Sequence, residues 1–302
     1  SLISETLKGK SLTGNPYRNT SESLFGLEWR KFGKILLQIG AQGIFEKRDT
    51  ILKNQWNLLP ALSWGFDFKG KNKISLVYRY TCRQPTFSEL YYQQTGNAKL
   101  RTEKAHIVSV RHELSLPFRN GISQTMIQPF YSHIYDKILA IPTKNLFIWS
   151  IQNIGKSDAV GVEFTELIQK KIRNHTLGAR INYTLQYTRD LSDPNSQTYR
   201  NILSYSPLNS GSMELDYSWK KISFFVLTSY MGERYALNQN IPSNLLNAYL
   251  LLDLGISYSQ QLKNNEFTLR FSLNNVTNKQ YSYINYFVMP GIHFNIRLQY
   301  AI

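Results

Sequence analysis

Between Cys82 and Glu103 the chain reads CRQPTFSELYYQQTGNAKLRTE, and this stretch concentrates groups suited to gripping a small molecule. Tyr91 and Tyr92 offer ring faces and hydroxyls, while Gln93, Gln94 and Asn97 each carry an amide that donates and accepts hydrogen bonds. Such a set suits a large ligand held by apolar area and a few directed hydrogen bonds. Trp149 and Tyr235, each within a predicted long connection, extend the candidate set, as do Phe147, Tyr199, Tyr283 and Tyr286. An interfacial aromatic girdle is the competing reading for these loop aromatics.

Other chemistries find little footing. His106, His112, His133, His175 and His293 are scattered without the spacing of a metal site. Cys82 is the single cysteine, so neither an intrachain disulfide nor a zinc cluster is expected. His133 with Asp136 is the nearest acid–base pair, but no nucleophile motif accompanies it. The sequence predicts no catalytic residues, no metal ligands and no cofactor, and so a protein that is not an enzyme.

Thirty-five Lys and Arg face 20 Asp and Glu, a net charge of +15. The cations are spread through predicted strands and turns, with no basic helix or nucleic-acid motif, so nucleic acid is not an expected partner. Anionic lipid headgroups or an acidic ligand fit the charge better. Mean hydropathy is −0.34 and no apolar run is long enough for a membrane helix. A membrane β-barrel passes that test, because lumen-facing residues dilute every strand.

Strands must carry the Cys82–Glu103 stretch. Before it, Ile74, Leu76, Tyr78 and Tyr80 alternate with Ser75, Arg79 and Thr81. After it, Val108, Val110, Leu114 and Leu116 alternate with Ser109, Arg111, Glu113 and Ser115. A period of two with one apolar and one polar face marks a strand between two environments. Tight polar connections recur at 31–34, 69–72, 117–121, 170–174, 219–221 and 263–265. Long ones fall at Glu46–Asn57, Arg83–Thr102, Pro142–Ser157, Asp190–Ser206, Glu233–Ala248 and Val276–Met289. Their strict alternation predicts an all-β fold, a transmembrane antiparallel β-barrel of the bacterial outer membrane, with short periplasmic turns and long extracellular loops. The count is about 13 strands between Ser23 and Ala301, an odd number where single-chain bacterial barrels have even ones. Residues 1–22 are therefore expected in an extracellular loop, and 23–302 as the C-terminal part of a larger barrel. The polar opening residues lack the apolar core of a signal peptide, so the chain is expected to be mature or a piece of something longer.

Arg83, Pro85, Thr86, Glu89, Leu90, Gly96 and Glu103 together resemble the seventh-loop region of TonB-dependent outer-membrane receptors. Three further landmarks follow in the family's order. They are Asn153-Ile154-Gly155 with Gly161-Val162-Glu163, then Asn201 through Pro207, then Asn274 through Tyr281 with Met289-Pro290-Gly291. The departures are Cys82 for the usual Phe, Ala98 and Thr102 for prolines, Ile292 for an Arg, and a terminus of Tyr300-Ala301-Ile302.

The resemblance implies a plugged barrel of about 22 strands, of which this sequence supplies about the last 13. The plug lies outside it. It also implies active uptake, in which a scarce ligand binds the extracellular loops and the TonB complex pulls on the plug to release it inward. The run from Pro85 to Gln93 is similar to cobalamin receptors, so a cobalamin-like cofactor is expected first and a ferric siderophore second. Haem receptors of the family place a ligating His between Pro85 and Gly96, where this sequence has none. A passive porin is the alternative from another class. A barrel whose loops dock a surface lipoprotein is the third. Lipid and lipopolysaccharide are the expected surroundings. The seven loop residues, Gly161, Glu163, Asn275, Asn278, Tyr281, Pro290 and Gly291 are expected to be architectural. Glu163 and Arg297 are expected to face the lumen and meet the plug.

Overall fold

The computed structural model describes residues 2–6, 16–30, 34–48, 51–68, 70–92, 95–142, 149–262 and 265–301. Its strands are β1 (Leu2–Thr6), β2 (Tyr17–Trp29), β3 (Lys34–Arg48), β4 (Ile51–Phe68), β5 (Asn72–Arg83), β6 (Glu103–Phe118), β7 (Gly121–Pro142) and β8 (Trp149–Ile172). They continue as β9 (His175–Asp190), β10 (Asn209–Trp219), β11 (Ile222–Met231), β12 (Arg234–Tyr235), β13 (Leu245–Leu246), β14 (Tyr249–Leu262), β15 (Asn265–Asn274) and β16 (His293–Ala301). Fourteen of these form one antiparallel sheet in chain order, with β1 and β16 at its edges; β12 and β13 pair separately inside the β11–β14 connection. One helical turn, α1 (Phe87–Tyr91), sits in the β5–β6 connection.

The ladder keeps one face apolar from strand to strand. Trp64 lies opposite Ile35 and Leu76, and Leu76 lies opposite Val110. At the other end, Leu254 faces Val226 and Leu273, and Phe271 faces Ile256 and Ile296. These side chains are open to the surroundings, with Trp56 79% and Leu58 68% exposed. A surface of this kind belongs in hydrocarbon, not in water. Glu166 shares that face, and its carboxylate accepts hydrogen bonds from Ser123 Oγ and Thr125 Oγ1 at 2.6 Å each. The opposite face pairs Arg180 with Glu214, Gln128 with Glu163, and Arg270 with Arg297. The long connections fold over this polar face, where Arg18 reaches the Pro85 carbonyl at 2.6 Å.

Two expectations change. Residues 1–22 are not all loop, because Leu2–Thr6 pairs with Tyr17–Ser21 as a fourteenth strand. Backbone pairing there overrides a polar sequence that carries no apolar period. Glu46–Asn57 is not a long connection either. β3 and β4 stay in register up to Arg48 and Ile51, so only 49–50 join them. Pairing likewise runs on through part of Pro142–Ser157, since β7 and β8 span 22 and 24 residues. A tilted strand needs only about ten to cross a bilayer. The excess projects beyond the apolar band on the long-loop side.

The face assignment predicts an asymmetric mutational cost. Leu254→Arg, at mid-strand on the apolar face, should destabilise the bilayer-inserted protein by about 2–4 kcal/mol. Thr184→Arg, on the polar face opposite Glu163, should cost well under ~1 kcal/mol. Equal costs in denaturant titrations of the lipid-reconstituted protein would show the faces to be reversed or equivalent.

Candidate ligand-binding site at the long-loop end

The β5–β6 connection is built from its first residues. Thr86 caps α1, accepting from the Glu89 N–H at 3.2 Å while Glu89 Oε2 accepts from the Thr86 N–H at 2.7 Å. This reciprocal capping box fixes the entry of the turn. Both oxygens of the Glu89 carboxylate also accept from one guanidinium nitrogen of Arg83, Nη1, at 3.0 and 3.1 Å. Arg83 reaches Glu103 as well, at 3.3 Å, and Glu103 accepts from the Ile138 N–H at 2.9 Å. Below, Leu90, Leu100 and Ile138 are buried together, with Phe87, Tyr91 and Ile151 packed against them. The buried Arg18–Glu46 pair, 2.8 Å apart, ties this loop to β2 and β3, and the Arg18 guanidinium lies 5.0 Å from the Phe87 ring centre. Gly96 is required because a Cβ there would lie 2.6 Å from the Tyr92 nitrogen and 2.9 Å from the Leu90 carbonyl oxygen.

Asn97, expected to meet ligand, makes three hydrogen bonds within the loops. Its N–H donates to the Glu89 carbonyl at 2.8 Å, its Oδ1 accepts from the Lys99 N–H at 3.0 Å, and its Nδ2 donates to the Ile151 carbonyl at 2.9 Å. Tyr91 is half-buried and stacks beside Phe87 at 6.0 Å. Tyr92 is different: it ends the helical turn and stands 59% exposed. Gln93 and Gln94, like Phe147, lie outside the described residues.

A second group of loops locks together by side-chain amides. Asn240 Oδ1 accepts from the Ile202 N–H at 2.6 Å, and its Nδ2 returns to the Ile202 carbonyl at 3.0 Å. Asn238 Oδ1 accepts from the Ser204 N–H at 2.9 Å, and Asn201 Nδ2 donates to the Asn238 carbonyl at 3.0 Å. Arg234 is buried and donates to the Ser282 carbonyl at 2.5 Å, with its guanidinium 5.4 Å from the Tyr249 ring. Burial pushes the Arg234 pKa down, and it raises the phenols of Tyr205 and Tyr281. Tyr281 packs on Tyr249 and Tyr283 at 4.9 and 5.5 Å. Asn275 is buried and holds the last loop closed, bonding Lys279 N–H and carbonyl at 2.8 and 2.9 Å and the Pro290 carbonyl at 3.3 Å. Asn278 Oδ1 accepts from the Ile292 N–H at 3.0 Å, just beyond Gly291.

Trp149 packs against the second group, its ring 5.6 Å from Tyr205. Tyr235 is half-buried and lines a cavity of about 290 Å³ with Ile202, Leu208, Tyr230, Arg234 and Leu245. Glu163 is on the polar face of β8, and Gly161 stands two residues earlier, with the Leu185 carbonyl and Phe130 ring so close that a Cβ would clash. Arg297 lies on the polar face of β16. The sequence reading missed Asn238, Asn240 and Arg234. None stands in a recognisable spacing, since each acts on a loop distant in sequence.

Similarity to known proteins now adds to the geometry. The family profile described as "TonB dependent receptor-like, beta-barrel" matches residues 5–276. The chain belongs to the TonB-dependent receptor family. It is an outer-membrane β-barrel chain, as the apolar face requires. It is 26% identical over 199 residues to the vitamin B12 transporter BtuB of Vibrio vulnificus (strain YJ016), covering 66% of this chain and 29% of that protein. Among solved structures, the copper transporter OprC superposes with a TM-score of 0.67 at 13% identity, over 95% of this chain and 48% of its own. BauA, the ferric preacinetobactin receptor from Acinetobacter baumannii, gives 0.65 at 13% identity, over 95% and 44%. The chain thus spans less than half the length of these relatives, and the likeness to the solved structures is one of fold.

The buried pair under α1 generates a prediction. Glu46→Ala should destabilise the folded barrel by about 3–5 kcal/mol by removing a counter-charge from the buried Arg18 and should open the β5–β6 loop to protease. Arg18→Met with Glu46→Leu should recover most of that loss. A double variant as unstable as Glu46→Ala in unfolding experiments would show that packing, not charge pairing, fixes the loop.

Proposed function

We propose that this chain is the ligand-gripping barrel portion of an active-uptake receptor whose cargo is a cobalamin-like cofactor. The observation that carries the reading is the loop end itself. Two interlocked loop groups leave Tyr235 lining a partly apolar recess, Trp149 packed against Tyr205 and Tyr92 exposed on the β5–β6 loop. A corrinoid needs broad apolar contact and dispersed hydrogen bonding, and the curated relative that the chain matches is described as a vitamin B12 transporter.

Uptake would proceed with energy supplied by the TonB complex acting on a plug inside the polar face. Glu163 and Arg297 lie on that face, at positions that would meet such a plug. A ferric siderophore is the second cargo, favoured by the fold shared with BauA. The outer rim of the apolar face carries Lys104, Tyr135 and Lys156 in one register row, above His106 and His133. That row would contact lipopolysaccharide. A surface lipoprotein would dock on the long loops.

The test is binding of cyanocobalamin, haem and ferric siderophores, side by side, to the full-length receptor. Cyanocobalamin should bind tightest, and Tyr92→Ala and Tyr235→Ala should each weaken it about tenfold or more. Asn97→Ala should instead lower loop stability and leave the order of ligand preference unchanged. Tight siderophore binding with no cyanocobalamin binding would overturn the cargo.

A further inference from the structure

The net charge of +15 is not spread evenly over the sheet. The turn joining β8 to β9 carries Lys170, Lys171 and Arg173, and the neighbouring turn joining β10 to β11 carries Lys220 and Lys221. β9 pairs with β10, so the two turns sit side by side. Neither Leu167–Leu177 nor Tyr217–Leu227 contains an Asp or Glu. Among the described residues none of the five cations has an ion-pair partner. Elsewhere cations are matched, Lys34 and Lys73 by Glu28 and Asp67 beside other short turns, and Arg101 and Arg189 by Asp136 and Asp158 at the long-loop end.

The bare cations are also held at a fixed level. The Lys171 N–H donates to the Asn120 carbonyl at 2.8 Å, the Lys220 N–H to the Asn174 carbonyl at 3.4 Å, and the Ser259 N–H to the Lys221 carbonyl at 2.9 Å. Each turn is therefore tied to its neighbour. Arg173 and Lys220 both adopt φ +53°, a region that Gly or Asn enters more cheaply. Local conformation alone does not call for long cationic side chains at these two positions.

Directly above the cations the apolar face is grooved. Ala179 leaves a depression of about 460 Å³ among Ile168, Leu177, Leu215, Tyr217, Phe224 and Val226, with Lys170 and Asp216 also in its lining. His175 stacks on Tyr217 and Trp219, and the Lys220 ammonium sits 5.2 Å from the Trp219 ring. Apolar groove, aromatic belt and unpaired cations follow one another from mid-strand to turn. That sequence matches one molecule of the surrounding membrane: acyl chain, interface, phosphate.

We propose that β8–β11 form a site for an anionic phospholipid of the periplasmic leaflet, with its acyl chain in the Ala179 groove and its headgroup phosphate among Lys170, Arg173 and Lys220. The inference rests on the barrel lying in the outer membrane with its short turns toward the periplasm, but not on the cargo. A diffuse cationic rim would attract any anionic leaflet, while the groove adds a place for one chain. The site would hold the barrel at a set depth and favour anionic lipid around these four strands.

The experiment is native mass spectrometry of the full-length receptor released from nanodiscs of phosphatidylethanolamine with phosphatidylglycerol. The wild type should retain phosphatidylglycerol over phosphatidylethanolamine by about tenfold at low salt, each cation contributing up to about fivefold, and raised salt should reduce the preference. Lys170→Gln with Arg173→Gln and Lys220→Gln should bring the ratio close to that of the bulk lipid. Ala179→Leu, which fills the groove and leaves every charge in place, should lower the number of lipids retained. Inorganic phosphate at the same phosphorus concentration should not displace the lipid. Bulk-like retention by the wild type, an unaltered ratio in the triple variant, full retention by Ala179→Leu or displacement by inorganic phosphate would each overturn the site. Ligand binding at the long loops is read separately, so failure here is distinguishable from failure of the uptake reading.

Discussion

Within a bilayer no water is available to the peptide backbone, so every N–H and C=O in the hydrocarbon zone must find a partner in the chain. The rest of this structure follows from that constraint. Each sheet strand pairs with its neighbours in chain order, and the one step that skips elements, β11 to β14, does so over the two-residue strands of a loop. Antiparallel pairing between sequence neighbours in turn forces successive connections to opposite ends of the sheet. The alternation of short turns and long loops is thus a product of the ladder. It gives the molecule two ends that can be specialised independently.

The long-loop end is organised by polar side chains that satisfy other loops' backbones. Asn97, Asn153, Asn240 and Asn275 each bond both their amide oxygen and their amide nitrogen to main-chain groups. Loops with little apolar core need this, because an unpaired buried backbone group costs about as much as several surface contacts supply. The consequence for binding is economy of exposed groups. With the asparagines and Arg234 engaged in architecture, Tyr230 and Tyr235 are the aromatic side chains lining the recess, and Tyr92 stands exposed on its own loop.

At the other end the β8–β9 and β10–β11 turns carry cations that have no ion-pair partner among the described residues. A sheet in water would gain by pairing those cations with acids on adjoining strands, as happens for Arg189 and Asp158 near the loops. A sheet in a membrane has anionic headgroups at that level instead. The strong positive balance of the chain, read from composition as an argument for lipid over nucleic acid, acquires a location in the structure.

Much of this was legible in residue order alone. Period-two alternation marked strands such as β5, β6 and β16 and told apart their two faces, because a strand between lipid and a wet interior needs two kinds of side chain. The loop run from Arg83 to Glu103 indicated the family, while its capping box and Arg83–Glu89 ion pair came from the structure. Strand pairing beyond the apolar band was not legible. Polar residues at Leu2–Thr6 and Glu46–Asn57 join the ladder through backbone hydrogen bonds that leave no mark on side-chain type. Nor could sequence separate Asn97, spent on Ile151 and Lys99, from Tyr92, free at the surface. What the residues determined alone was the alternation of faces and ends, since that is a one-dimensional pattern. Which polar groups are spent on other loops, and which cations have no ion-pair partner among the described residues, was decided only by tertiary structure, because each depends on groups tens of residues away.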